Sequence, residues 1–324
     1  MNPLSAIFGA GVAIRNALYD RHIFQVKKLA RPVVSIGNIS VGGSGKTPFV
    51  IALGHLLAER GIAFDVLSRG YGRGSTEIAV VDPKGSPAQF GDEPLLIARK
   101  LQAPVIVGAD RYRAGLLAEK KFSSRLHLLD DGFQHRRLHR DFDIVLLPQQ
   151  DLDDRLLPAG RLRESPSSLR RADALMLFDP IDIPHLYTEL PSRLRAQVFK
   201  ARRLLTLEST TGKAMAFCAI ARPQQFLDGL RTRGQEISGQ LTLRDHHRYD
   251  QRDINRLLGL KKQTNADSFI TTEKDLTNLG TLAAQLSPLM TAGLRIELES
   301  PQEVVIEIIK TIEQRSGQQI QPPA

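Results

Sequence analysis

The stretch Gly37-Asn38-Ile39-Ser40-Val41-Gly42-Gly43-Ser44-Gly45-Lys46-Thr47 has the composition of a loop that cradles phosphate. Glycines let successive backbone N–H groups turn inward onto phosphate oxygens, and a following helix adds the positive end of its dipole. Gly42, Gly43, Ser44, Gly45, Lys46 and Thr47 are therefore the candidate nucleotide-binding residues. Lys46 is placed to reach β- and γ-phosphates, and the Thr47 hydroxyl to ligate Mg2+. The strict pattern has glycine five positions before Gly45, where this chain has Ser40; Gly42 and Gly43 supply the backbone freedom instead. A second candidate is Asp130-Asp131, which ends the apolar run Leu126–Leu129 just before Gly132. An Asp-Gly turn closing a strand has the same letters, but beside a phosphate loop two carboxylates at a strand's carboxyl end suit a metal. A third pair is Asp92-Glu93, ahead of Pro94 and the apolar segment Leu95–Leu101. Taken alone, these two are better explained as a helix N-cap and first turn than as a functional pair.

Such groups need elements to hold them. Pro32–Ile36 reads as a short buried strand and Phe49–Leu57 as a helix, so the glycine loop stands in strand–loop–helix context. Further strand-like runs occur at Phe64–Ser68, Val105–Val107, Leu126–Leu129, Ile144–Leu147 and Ala174–Leu177, with helical segments between several of them. That alternation predicts an α/β fold with a doubly wound, mostly parallel sheet. After Pro191 the character changes. Arg202–Glu208 and Leu294–Glu299 share an alternating pattern that suits a two-stranded ribbon. The expected organisation is a phosphate-loop domain over 1–201 and a smaller α/β domain over 202–324 containing Cys218, His246 and Lys274. Pro301 opens a final helix through about Ile312, and the tail after Gly317 reads as disordered.

Forty-four Lys and Arg against 35 Asp and Glu give a formal charge of +9, and the pI is about 9.8. This points to an anionic partner: a phosphorylated substrate, a membrane surface or nucleic acid. Nucleic acid is disfavoured, because a chain with no Trp and five Tyr lacks an aromatic stacking set. One cysteine, Cys218, excludes an internal disulfide and a Cys-rich metal site. No apolar run reaches the roughly 18–20 residues of a membrane span. Met1–Ile14 carries no charge, and the next eighteen residues carry a net +4 from Arg15, Arg21, Lys27, Lys28 and Arg31 against Asp20. A secretory signal has the opposite order. An interfacial helix on an anionic membrane and a core helix ending in a solvated basic turn both fit.

Several look-alikes fall away. His139-Arg140-Asp141 opens like a kinase catalytic loop, but Leu146 stands where its metal-binding Asn belongs. Asn38-Ile39-Ser40 is a glycosylation sequon inside the phosphate loop, and His246-His247 lacks further ligands at zinc spacing.

In this order the pieces resemble the tetraacyldisaccharide 4′-kinases, the lipid A 4′-kinases of Gram-negative bacteria. The resemblance rests on SIGNISVGGSGKTP (35–48), SRGYGRG (68–74), GDEPLLIARKL (91–101), LLDDGFQHRRLHRDFDIVLL (128–147), LLPAGRLRE (156–164), AFCAIARPQQF (216–226), DHHRY (245–249) and TTEKD (271–275). It implies MgATP-dependent phosphorylation of the 4′-hydroxyl of a tetraacylated glucosamine disaccharide 1-phosphate. The expected location is the cytoplasmic face of the inner membrane, with the protein held peripherally on an anionic surface. It further implies Asp92 as catalytic base, His246 as its partner, and Glu93, Asp130 and Asp131 with Thr47 as metal-site residues. The apolar-then-basic N-terminus becomes a membrane-docking helix. Arg69, Arg111, Arg113 and Arg163 are candidates for the substrate's 1-phosphate. Asn278 stands where lysine is expected after TEKD, and Arg161 where proline is usual. The rival readings are a P-loop kinase or GTPase-type metallochaperone with a soluble substrate, and an ATPase that binds nucleic acid.

Overall fold

A strand covered on both faces must be apolar throughout, and every residue of β1 (Val33–Gly37) is buried. The computed structural model describes residues 3–178, 197–207 and 212–320, and β1 lies near the middle of its one large sheet. Parallel neighbours flank it: β5 (Leu126–Asp130) and β6 (Phe142–Pro148). Outward on one side come β2 (Phe64–Ser68), β4 (Val105–Val107) and the short β3 (Ala79–Val80). On the other come β7 (Ala174–Phe178), β8 (Val198–Thr206), β12 (Leu289–Leu298), β11 (Ser268–Thr272), β9 (Ala214–Cys218) and β10 (Ile237–Thr242). All neighbouring pairs are parallel except β3–β4 and β8–β12. The loops after β1, β2, β4 and β5 thus open at one carboxyl edge, where ligands bind in such sheets.

The helices among the described residues are α1 (Pro3–Asp20), α2 (Lys46–Glu59), the single turn α3 (Pro87–Phe90), α4 (Asp92–Lys100), α5 (Arg111–Lys121), α6 (Pro223–Thr232), α7 (Gln251–Gln263), α8 (Glu273–Leu279) and α9 (Pro301–Ser316). Val50, Leu53 and Leu57 of α2 bury against the sheet in the same core as Val34 and Ile36 of β1. That burial fixes the helix whose first turn faces the phosphate loop.

The two alternating segments do pair. Arg203 stands opposite Ile296 and Leu205 opposite Leu294, antiparallel. They are not a free-standing ribbon, because β8 also pairs with β7 and β12 with β11, which makes the sheet continuous. The 201/202 division falls inside β8, while Pro191 and Glu208 lie outside the described residues. Two further expectations change. Helix α9 does not join the smaller unit: Val304, Val305, Ile308, Ile309 and Ile312 complete the core around β1 and α2. The tail is ordered as far as Ile320, which is 1% exposed and whose N–H donates to Glu313 Oε1 at 2.9 Å. Burial of this isoleucine, with Gln318 Nε2 donating to Ala30 O at 3.0 Å, holds the polar tail back against the body.

Below the ligand edge, a polar triad sits in the sheet. His127 of β5 stands opposite Asp65 of β2, and its Nδ1 lies 2.7 Å from Asp65 Oδ1, both side chains fully buried. Nε2 is 3.5 Å from Glu119 Oε1 of α5. Burial alone would lower the imidazole pKa, but the two carboxylates outweigh it and push it up to about 9. A folded-state pKa raised above the unfolded value stabilises fully below about pH 6.5 and is lost as pH rises through about 9. Thermal unfolding should accordingly show Tm falling across that window in the wild type. His127→Gln should flatten the fall; an equal fall in the variant would assign it to other groups.

Candidate active site

Gly45 caps α2 at φ 89°, and Gly42 and Gly43 hold φ of 66° and 61°. Side-chain-bearing residues adopt this region rarely, and a Cβ at Gly43 would lie 2.6 Å from Arg222 Cγ. Both requirements explain the paired glycines. Ser40, the departure from the strict loop pattern, is a pin: it accepts from Asn38 Nδ2 at 3.2 Å and donates to Asp151 Oδ2 at 2.6 Å. Lys46 Nζ extends back over the loop to Asn38 Oδ1 (3.2 Å), Ser44 Oγ (3.4 Å) and Asp131 Oδ1 (3.5 Å). Three arginines enclose the loop. Arg161 donates to Val41 O at 2.9 Å, Arg203 to Ser44 O at 2.8 Å, and Arg222 to Asp151 Oδ1 at 3.3 Å. Burial, and then the charge of Arg222, lower Arg203 to about 10. A loop so surrounded by fixed positive charge is prepared for polyanions.

Asp130 ends β5 and Asp131 follows it beside this loop, but the two do different things. Arg163 grips Asp131 bidentately at 2.9 and 2.8 Å. Burial opposes ionisation of Asp131, yet Lys46 and Arg163 hold its carboxyl well below the usual carboxylate range. Asp130 accepts from Ser68 Oγ at 3.0 Å through one oxygen, while the other, Oδ1, is buried with no partner. Burial first, then the charges of Glu93 and Asp131, push Asp130 well above that range. An orphaned carboxylate oxygen among other carboxylates, Glu93 and Asp131, fits a hard cation with oxygen ligands. Among the described residues, no three His, Cys, Asp or Glu side chains converge on one point. Mg2+ needs fewer, since it is commonly held by one or two carboxylates plus substrate phosphates.

Asp92 is the first residue of α4 and is 5% exposed. His246, 154 positions away, reaches it: Nδ1 lies 2.9 Å from Asp92 Oδ2. Burial would raise the Asp92 pKa, but the bond from His246, the charge of Lys274 and the amide of Asn278 lower it to about 2. An ionised carboxylate only accepts, so Nδ1 carries the proton. Burial opposes charging of His246, and Asp92 outweighs it to raise the imidazole pKa. Lys274 Nζ ties the group together, 3.2 Å from Asp245 Oδ1, 3.3 Å from His246 Nε2, 3.4 Å from Glu93 Oε1 and 3.6 Å from Asp92 Oδ2.

The loop bearing His246 is clasped from below. Asp275 is fully buried and accepts from Ala219 N (2.9 Å), Tyr249 Oη (2.8 Å) and Thr272 Oγ1 (2.5 Å), while His246 N donates to Ala219 O at 3.3 Å. Tyr249→Phe deletes one strand of the clasp. We expect it to lower kcat about three- to tenfold, the worth of one hydrogen bond, with little change in the KM for ATP. In a His246→Ala background the same change should be silent; an undiminished loss there would show that Tyr249 acts by another route.

Spatially, then, the structure brings Lys46, Asp130 and Asp131 together, and Asp92, Glu93 and His246 together. Of the arginine candidates, Arg163 is engaged by Asp131, and buried Arg111 donates to Ala109 O at 2.9 Å. Lys274, Asn278, Arg161, Arg203 and Arg222 were not singled out for the site by the sequence. Asn278 and Arg161 had a visible signal, being the two departures from the family pattern, and each contacts a site element: Asp92 Oδ2 at 3.3 Å and the phosphate loop. The HRD look-alike is structural, with Arg140 paired to Asp143 and Asp141 accepting from Val33 N. Beside Asp92 and His246 opens a cleft of about 670 Å³, bordered also by Tyr71, Arg99, Arg248 and Asn278.

Comparison with known proteins identifies the family. The family model described as LpxK, tetraacyldisaccharide-1-P 4′-kinase, matches residues 1–313. The tetraacyldisaccharide 4′-kinase of Koribacter versatilis (strain Ellin345) is 51% identical over 98% of this chain and 100% of its own length. That of Aquifex aeolicus (strain VF5) is 38% identical over 86% of this chain and 88% of its own. A crystal structure of an "apo" form of LpxK from Aquifex aeolicus in complex with ATP superposes with a TM-score of 0.75 at 34% identity, covering 96% of this chain and 98% of that one. With a phosphate loop of this build and a match along nearly its entire length, the chain belongs to the tetraacyldisaccharide 4′-kinase family.

Proposed function

We propose that this protein transfers the γ-phosphate of ATP to the 4′-hydroxyl of a tetraacylated glucosamine disaccharide 1-phosphate, a step of lipid A biosynthesis. The observation that carries the reading is the Asp92–His246 pair, held at 2.9 Å and joined through Lys274 to Glu93 near the phosphate-loop carboxylates. Phosphoryl transfer passes through a loose transition state, so the protein mainly positions groups and neutralises spread charge. Lys46 and the enclosing arginines bind the triphosphate. Asp92, ionised near neutrality, accepts a hydrogen bond from the 4′-hydroxyl, points its oxygen at phosphorus and takes the proton as the new bond forms. His246 and Asn278 hold the Asp92 carboxylate at the angle this requires. Asp130, Glu93 and Thr47 would hold Mg2+, which when bound supplies charge neutralisation across the β- and γ-phosphates. Arg69, Arg111 and Arg113 stay candidates for the acceptor's phosphate.

The N-terminal helix supports a membrane-side acceptor. No described helix is long and apolar enough to cross a bilayer. Helix α1 is instead tethered to the body by Ser5 Oγ to Leu156 O (3.0 Å), Asn16 Nδ2 to Glu164 Oε2 (2.8 Å) and Arg136 to Asp20 (2.7 Å). This leaves Leu4, Ile7 and Ile14 on one face at 61%, 70% and 62% exposure. Spacings of three and seven line one helix face, which suits insertion into the headgroup–acyl boundary. Ile7→Asp should weaken partition onto anionic vesicles about tenfold or more, since one buried isoleucine is worth roughly 1.5–3 kcal/mol. Its activity in detergent should stay unchanged, and unaltered vesicle partition would take α1 off the membrane.

The deciding assay supplies labelled ATP and the acylated disaccharide in detergent and locates the label. Label at the 4′ position supports the assignment. Folded protein that labels a water-soluble acceptor and leaves the lipid untouched would favour the rival soluble-substrate kinase.

A further inference from the structure

A second cavity, of about 230 Å³, lies at the same carboxyl edge of the sheet, between the segment after α1, the turn from β4 into α5 and the loop after β5. We propose that it binds the phosphate of a lipid headgroup, with Lys27 and Arg137 as its cationic wall and His135 as a neutral imidazole between them. The inference rests on the lipid-kinase reading only for the origin of that phosphate.

The wall is fixed by main chain rather than by free side chains. Lys27 N donates to Arg137 O at 2.9 Å, His139 N donates to Lys27 O at 2.8 Å, and Lys27 bridges Leu138. Lys27 Nζ rests over the Tyr112 ring, 4.8 Å from its centroid, which holds the ammonium on the cavity side of α5. The one acidic lining residue, Asp110, is spent on capping α5, its Oδ1 accepting from Arg113 N at 3.1 Å. The first turn of that 11-residue helix therefore borders the cavity as well. His135 lies in this field: burial first, then Arg111 and Arg140, lower its imidazole to about 4, with Asp110 pulling the other way and Arg137 adding a smaller push. The protein thus builds more positive charge into this hole than it compensates, and an anion supplies the balance.

Size and surroundings select the anion. The volume suits a phosphate with part of a sugar or glycerol, below the range that takes whole cofactors. Immediately before Lys27 the same segment exposes Ile23 (63%), Phe24 (41%) and Val26 (39%). Apolar side chains beside a phosphate-sized cationic hole fit a molecule with acyl chains next to a phosphate, where a soluble phosphate would leave them in water. The source is either the acceptor's own 1-phosphate or a phospholipid of the bilayer.

The test compares the wild type with Lys27→Gln/Arg137→Gln, and with Arg21→Gln/Lys28→Gln as an equal loss of charge outside the cavity. Glycerol 1-phosphate added to the full chain should raise the His135 titration midpoint, followed by NMR, in the wild type and the outside-charge control, and not in the cavity variant. In neutral detergent, a KM for the acylated disaccharide raised about tenfold by the cavity change, with no effect on the same acceptor lacking its 1-phosphate, identifies the acceptor as source. Unchanged kinetics with weaker binding to phosphatidylglycerol vesicles, beyond the loss in the outside-charge control, identifies the bilayer. The proposal is overturned if His135 ignores the phosphate, or if both double variants behave alike. Because the NMR arm needs no turnover, it stands even where the 4′-kinase assignment fails.

Discussion

Asp92→Ala should lower kcat about 10²–10⁴-fold, the range for loss of a positioned proton acceptor, while ATP affinity stays within about twofold. The hydrogen bonds and ion pairs of the carboxylate go to His246, Lys274, Asn278 and the Glu93 N–H, outside the phosphate loop. Its pKa near 2 makes it a weak base, so most of the loss should come from a mis-aimed hydroxyl. Asp92→Asn, with the same shape but no negative charge, should recover little. His246→Ala should cost less, because the carboxylate stays in place under Lys274 and Asn278. Adding His246→Ala to Asp92→Ala should cost almost nothing more, since residues acting as a unit are not additive. Steady-state rates on the acylated disaccharide, with ATP binding by calorimetry, decide it. Near-normal turnover in Asp92→Ala with intact ATP binding would refute the assignment.

Lys46→Ala carries the second large effect, about 10²–10³ in kcat, the typical loss when one donor to the developing charge is removed. Unlike the Asp92 change, it should also weaken ATP binding. The ammonium sits 3.5 Å from Asp131 and within hydrogen-bond reach of Asn38 and Ser44. Its removal leaves Asp131 with Arg163 as its ion-pair partner next to incoming phosphates. Lys46→Arg should rescue poorly, because a planar fork does not replace a compact ammonium in a closed loop. Equal ATP affinity in wild type and Lys46→Ala would place the triphosphate elsewhere.

Local signals were legible where one segment carries the whole message. β2 and β4 occupy the residues their apolar runs mark, and the strand–loop–helix around Gly45 stands as its spacing requires. The pairing of β8 with β12 was readable because both alternate. What depends on packing between distant segments was not. Nothing local tells that α9 returns to the first core, or that Ile320 folds under it. Asp92 alone looks like any helix start, and its partner lies 154 residues on. Lys274, Arg203 and Arg222 gain meaning only from a fold that carries them from the second half to Glu93, Ser44 and Asp151.

Thr206 faces Gly293 across the antiparallel pair, so the chain leaves the phosphate-loop body and re-enters it at adjoining points. Everything between them, including His246, Lys274 and Arg222, is an excursion inserted into a body whose interior is finished by segments that come after it. The body holds the triphosphate loop and the excursion holds the partner of Asp92. The glycine loop and the partner of Asp92 are therefore housed in separable stretches of one gene, and a short turn across that doorway would keep Lys46 and Thr47 while discarding His246 together with Arg222, one of the arginines packed on the loop.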